Sequence, residues 1–137
     1  MTEELELKLV EKYPLILKDY RGNCQQTCLA FGMECGDGWY DLLDKLLNKL
    51  DYICKASGVQ VTADQIKEKY GTLRFYYSTI INTDLNENDD NVVDDIISNI
   101  VSAAERKSET ACEVCGKQGE LYDAGWCKVR CDEHKDK

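Results

Sequence analysis

The sequence predicts an α+β fold: two amphipathic helices packed on a small antiparallel sheet, followed by a short ribbon at the C-terminus. Three observations predict it. Residues 39–56 and 90–107 carry apolar side chains at three- and four-residue steps, the spacing of one helical face. Between them, residues 64–78 form two alternating runs hinged at Tyr70-Gly71. Near the end, Cys112, Cys115, Cys131 and His134 stand as Cys-x-x-Cys, fifteen intervening residues, then Cys-x-x-His.

At 137 residues the chain suits one domain with a modest core. A segment as short as 109–137 buries too little apolar surface to fold alone, so it is expected to be an appendage on a main unit spanning 1–108. The formal net charge of -9 argues against general nucleic-acid binding, because affinity for phosphate backbones comes from clustered Lys and Arg. Any anion must be met by a local basic patch on an acidic body. The acidic surface itself could meet a basic partner or imitate DNA, but more often such charge serves solubility. No apolar run is long enough to cross a bilayer, so no membrane role is expected. The start, Met1-Thr2-Glu3-Glu4-Leu5-Glu6, is acidic and lacks a secretory pattern, which makes a reducing cytoplasm the expected setting. Self-association is left open.

Taken in order, residues 3–13 predict a helix with Leu5, Leu9, Val10 and Tyr13 on one side, stopped by Pro14. Leu15-Ile16-Leu17 reads as a short buried run, and 18–38, rich in Gly, Asn, Gln and Cys, as a structured loop. The helix over 39–56 has Asp37 to cap its start and Gly58 to end it. The helix over 90–107 is rich in β-branched residues, poor helix formers alone, so packing must hold it. The acidic linker 82–90 is expected to supply its cap. Part of that linker, Asp84 to Asp90, resembles a calcium loop, but Asp89 stands where the sharp turn needs Gly, so an exposed linker is the better reading.

The hairpin's register follows from its apolar pattern. Pairing Lys69 with Thr72 sets Ile66 opposite Phe75 and gathers Ile66, Leu73, Phe75 and Tyr77 on one face; a one-residue slip would scatter them. Tyr is an awkward first residue for the tightest hairpin turn, so a longer loop of the same parity stays open. In this register Lys67, Lys69, Arg74 and Tyr76 share the solvent face, with Lys67 across from Arg74. Like charges so placed repel, by some tenths of a kcal/mol, about 0.2–1. An anion is expected between them. Either an intramolecular Asp or Glu supplies it, or a phosphate or nucleotide does, with Tyr76 stacking a base.

The Cys112, Cys115, Cys131, His134 spacing predicts one structural Zn²⁺. Zinc prefers a tetrahedral set of thiolates and imidazole nitrogens, and each two-residue gap lets one tight turn aim two side chains at one point. Gly116 suits the first turn because it tolerates positive φ. Glu120-Leu121-Tyr122 and Trp126-Cys127-Lys128-Val129-Arg130 are β-prone runs that would carry the second pair back to the first. Three residues follow His134, too few for the helix of a full treble clef, so a zinc ribbon is expected. Cys127 is predicted to be unligated. Cys24, Cys28, Cys35 and Cys54 have no diagnostic spacing, and free thiols are favoured over a second metal site.

Catalysis has little support. The single histidine is already assigned to zinc, which leaves no imidazole as general base, and four protein ligands would close the metal to substrate. No catalytic residue is predicted.

Cys35-Gly36-Asp37-Gly38-Trp39 entering a helix, Lys67-Glu68-Lys69-Tyr70-Gly71-Thr72-Leu73-Arg74-Phe75-Tyr76, and Cys112-x-x-Cys115-Gly116 with Gly125-Trp126 and Cys131-x-x-His134 occur in this order. Together they resemble a group of small proteins encoded by tailed phages and prophages, over roughly residues 13–134. The resemblance implies a setting of host takeover or immune evasion in the host cytoplasm, and no mechanism. Two roles then stand. The basic hairpin face and the helix entrance, with Lys67, Lys69, Arg74, Tyr76, Asp37 and Trp39, would sequester a small anionic ligand such as a nucleotide signal of host defence. Alternatively, the zinc ribbon and acidic surface would dock on or inhibit a host protein, with Tyr122 and Trp126 as anchors.

Overall fold

The computed structural model describes residues 1–81 and 87–137 and is α+β. In chain order it contains α1 (Glu3–Lys12), β1 (Met33–Glu34), α2 (Tyr40–Ser57), β2 (Val59–Lys69), β3 (Thr72–Ile81), α3 (Glu87–Ser108), β4 (Glu120–Ala124) and β5 (Trp126–Arg130). The main sheet has the order β1-β2-β3, with β1 parallel to β2 and β3 antiparallel to it. β4 and β5 form a separate antiparallel ribbon.

The stripe of α2 buries Leu43, Leu46, Leu47, Leu50 and Cys54. Each fully buried leucine contributes about 1.5–3 kcal/mol relative to exposure, so this helix is the spine of the core. It ends as its sequence predicts, at Gly58 in the left-handed conformation (φ +78°), whose N–H returns to Cys54 O. Its start differs. Asp37–Trp39 form a separate 3-10 turn and the α-helix begins at Tyr40. The backbone before Tyr40 is held by the C-terminal ribbon, through Gly38 N–H to Glu113 O at 2.8 Å, which stops the helix from extending backwards.

In α3 the buried face is narrower than the sequence stripe: Ile97, Val101 and Ala104 are buried, while Val92 and Ile96 are exposed. The helix begins at Glu87, before the expected 90, so residues read as linker form its first turn. Acidic side chains such as Asp89 and Asp90 complement the positive end of a helix dipole there. The rest of the acidic linker, 82–86, lies outside the described residues.

The hairpin has the expected register, Lys69↔Thr72, Lys67↔Arg74 and Ile66↔Phe75, and runs on beyond 64–78 to Val59 and Ile81. A bulge at Asp64 hides this extension from a parity argument. Val59, Val61 and Ala63 are buried before it and Ile66 after it, so odd positions give way to even ones. The turn is the tight two-residue form, with Tyr70 at φ +54° and Gly71 at φ +84°. The free edge of β3 is capped by α3: Leu73 N–H donates to Ser108 Oγ at 2.8 Å and Phe75 N–H to Glu105 Oε2 at 3.0 Å.

The segment 18–38 is more ordered than a loop. It contains the 3-10 turn Cys28–Phe31 and the strand β1. Buried Glu6 organises it, accepting hydrogen bonds from Met33 N–H at 2.9 Å and Tyr20 O–H at 2.5 Å, with Arg21 Nη2 3.6 Å away. A carboxylate removed from water needs such partners. Ile16 and Leu17 are buried as expected, but Leu15 points to solvent. No described helix is long and apolar enough to cross a membrane.

Candidate metal centre and anion-binding face

The ligand atoms of Cys112, Cys115, Cys131 and His134 all lie within 4.8 Å of one another and could hold a metal ion. Individual separations are 3.6 Å for Cys115 Sγ to Cys131 Sγ, 3.7 Å for Cys112 Sγ to His134 Nδ1, and 3.3 Å for Cys131 Sγ to His134 Nδ1. A tetrahedral ion bound at about 2.3 Å to sulfur and about 2.0–2.1 Å to nitrogen has ligand–ligand edges of about 3.5–3.8 Å. Two of these three separations fall on such edges, the third is shorter, and the widest of the set stays within 4.8 Å, so the four side chains are close enough together to hold an ion.

Local backbone structure makes the cluster. Cys112 N–H donates to Lys117 O at 2.8 Å and Gly116 N–H to Cys112 O at 2.7 Å, which folds 112–117 into a knuckle with Gly116 at φ +81°. His134 N–H donates to Cys131 O at 3.0 Å, turning the second pair. Between them β4 and β5 pair from Glu120↔Arg130 to Ala124↔Trp126, and Gly125 makes the turn at φ +88°. Burial acts to raise the Cys112 thiol, but the backbone N–H groups of Cys131, Cys115 and Val114 and the His134 ring outweigh it. The result is a pKa lowered from 9.0 to about 6. Cys115 goes the other way: the Lys117 N–H favours its thiolate, but desolvation and the neighbouring Cys131 and Cys112 thiols hold it above its ordinary value, so Cys112 is the favoured thiolate of the pair.

Among the described residues this is the one cluster of three or more His, Cys, Asp or Glu side chains close enough for a metal. Cys35 and Cys54 are buried, and Cys24 and Cys28 are exposed. Burial pushes the Cys35 thiol up to about 12, and Cys54 Sγ accepts the Val61 N–H. Cys127 stands outside the cluster, bonded to Asp123 Oδ1 at 3.4 Å.

The centre is seated on the start of α2. Trp39 is fully buried and its indole N–H donates to Ala111 O at 2.9 Å. Gly36 N–H donates to Glu113 Oε1 at 3.2 Å, and Asp37 Oδ1 accepts the Thr2 N–H at 2.7 Å. The Gly36-Asp37-Gly38-Trp39 segment is thus engaged by protein partners, with Trp39 facing the core. The two glycines of Gly36-Asp37-Gly38 are the signal that could have pointed to a close backbone approach, but only tertiary structure says to what.

The hairpin cations lie elsewhere. Lys67 and Arg74 face each other across β2 and β3, both half-buried, with Lys69 and Tyr76 exposed. Glu34 of β1 is the register partner of Lys67 on its other side. Among the described residues, neither Lys67 nor Arg74 has a carboxylate within the 4.0 Å of an ion pair. Arg74 Nε is shielded from solvent and has no hydrogen-bond partner. Arg74 lines a shallow depression of about 370 Å³ with Tyr70, Arg106, Glu105 and Glu109; Lys67 is not among its walls.

Compared with protein-family models, curated proteins and solved structures, the chain matches none. The phage-protein resemblance therefore rests on its three motifs alone.

Proposed function

We propose that the chain is a non-enzymatic binding protein, shaped by one structural zinc ion, that captures a small anion such as a nucleotide on the hairpin face around Lys67 and Arg74. The observation that carries this reading is the Arg74 Nε, buried without a partner. Native proteins leave few such groups unsatisfied, because each costs about 1–3 kcal/mol. A phosphate on the half-exposed guanidinium would bring acceptors to it, and an outward shift of the side chain would let Nε share in the paired hydrogen bonds by which guanidinium grips phosphate. Lys67 across the pair and Arg106 in the same depression add positive charge, offset in part there by Glu105 and Glu109, and exposed Tyr76, on the face of Lys67, offers a ring for a base.

Zinc is the metal this donor set favours: three thiolates and one imidazole are soft to borderline ligands in a tetrahedral array. With all four positions taken by protein, its role is to hold the ribbon. His134 belongs to that set, so binding rather than bond-breaking is the function proposed. The motif resemblance adds the setting, a phage-type protein acting in the host cytoplasm on a signal of host defence.

The test is a thermal-shift screen of the purified protein against a nucleotide panel, with release and identification of any retained small molecule. A stabilising nucleotide whose effect vanishes in Lys67→Ala with Arg74→Ala supports the proposal; an empty protein that no nucleotide stabilises refutes it. A second reading, docking on a host protein, is favoured by Trp126, 75% exposed on the ribbon, and by Leu121, 52% exposed. Under that reading Trp126→Ala abolishes partner binding and the hairpin double variant does not.

A further inference from the structure

A cleft of about 460 Å³ lies between α2, α3 and the metal knuckle, on residues distinct from the hairpin face. Small residues leave it open. Ala103 and Ala104 of α3 and Ala111 beyond it reach too little to fill the gap toward α2, and Gly38 and Gly116 bring only backbone to its end. Leu42, Leu46 and Ile100 line it with apolar surface.

Its charge runs against that of the molecule. The chain has 26 acidic and 17 basic side chains, yet Lys45, Lys49, Lys107 and Lys117 line this cleft against the single carboxylate of Asp41. Lys117 is paired with Glu133 at 3.0 Å. Lys45, Lys49 and Lys107 have no ion-pair partner among the described residues. These three lysines at an apolar cleft, without their own carboxylates, form a surface complementary to a ligand with an apolar body and an anionic head.

We propose that this cleft binds an amphiphilic organic anion, its apolar body on Leu42, Leu46 and Ile100 and its carboxylate, sulfonate or phosphate among the lysines. Pockets for single small molecules span about 300–1,000 Å³. An acidic partner helix, about 10 Å across with its side chains, would need a longer groove.

The test is a titration followed by amide NMR, with octanoate as the probe, octylammonium as the same tail with opposite charge, and inorganic phosphate as a head without a tail. Octanoate is expected to shift amides of 41–49, 100–107 and 115–118 saturably, and the two controls to leave them unmoved. Lys45→Glu with Lys107→Glu changes two exposed side chains that lack partners; it should keep the fold, as its spectrum will report, and weaken octanoate at least about tenfold, as expected when attraction becomes repulsion. Lys67→Ala with Arg74→Ala should leave octanoate binding unchanged, which separates this cleft from the hairpin site. The proposal is overturned if octanoate produces no saturable shift, if octylammonium binds equally well, or if inorganic phosphate alone shifts the same amides as strongly.

Discussion

Gly38 and Gly116 pack backbone against backbone: a Cβ on Gly116 would lie 2.7 Å from the carbonyl oxygen of Gly38. A Cβ on Gly38 would in turn lie 2.3 Å from Cys112 O and 2.6 Å from Cys115 N, so the knuckle rests on the turn before α2 with no room for a side chain. The obstructing atoms are backbone and cannot swing aside. Gly38→Ala is therefore expected to destabilise the fold by about 3 kcal/mol or more, in the upper range for overpacking. Gly125 is the control, since a Cβ there meets nothing within 4 Å and its only strain is φ +88°; Gly125→Ala should cost about 1–2 kcal/mol. Urea denaturation of both variants checks the difference.

Trp39 ties the core to the ribbon through Ala111 O, one residue before Cys112 of the candidate metal cluster. Trp39→Phe keeps most of the apolar volume but removes the indole donor to that carbonyl. The expected loss is about 1–3 kcal/mol, the cost of a buried polar group left unpaired. Metal should also leave the variant faster in a chelator-competition assay, and an unchanged release rate would show that the indole does not steady the centre.

Tyr70 occupies a left-handed position, φ +54°, at the tip of the β2–β3 hairpin while 68% exposed. An exposed ring gains little burial to offset that strain; Lys69 Nζ at 5.6 Å from its centroid adds about 0.5–1 kcal/mol. Tyr70→Asn should raise stability by a few tenths to about 1 kcal/mol, since Asn-Gly suits this turn. A lower melting temperature in this variant would contradict the account of the turn.

The lowered Cys112 pKa sets a sign for pH dependence in the metal-free protein. A thiol held at about 6, below its ordinary 9.0, contributes stability that is complete above about 9 and lost as pH falls through about 6. Protons also compete with metal for the thiolate over the same range. Metal affinity measured from pH 8 to 5 is expected to fall with pH, steeply below about 6, and a flat profile would contradict this.

Much of this was legible in the sequence where chemistry acts over short spacing. The clustering of Cys112, Cys115, Cys131 and His134 was, because two Cys-x-x gaps suffice to aim side chains, and the register of Ile66 and Phe75 was, because alternation has only two choices. The extension of the hairpin to Val59 was hidden by the Asp64 bulge, which reverses parity. The strand β1 was hidden because Met33–Glu34 is two residues long and exists only through its pairing with β2. Trp39 read as the first residue of a helix stripe because nothing local announces Ala111. Lys45 and Lys49 lie off the apolar stripe of α2 and carry no local signal; only folding brings Lys107 and Lys117 to the same cleft.

The central claim is that one metal ion organises residues 109–137 and seats them on the turn before α2. Elemental analysis of the purified, folded protein, joined to an amide spectrum of the same sample, tests it most directly. The expected result is one zinc per chain with dispersed ribbon amides that collapse on chelation. Metal-free protein whose ribbon amides are equally dispersed would contradict it.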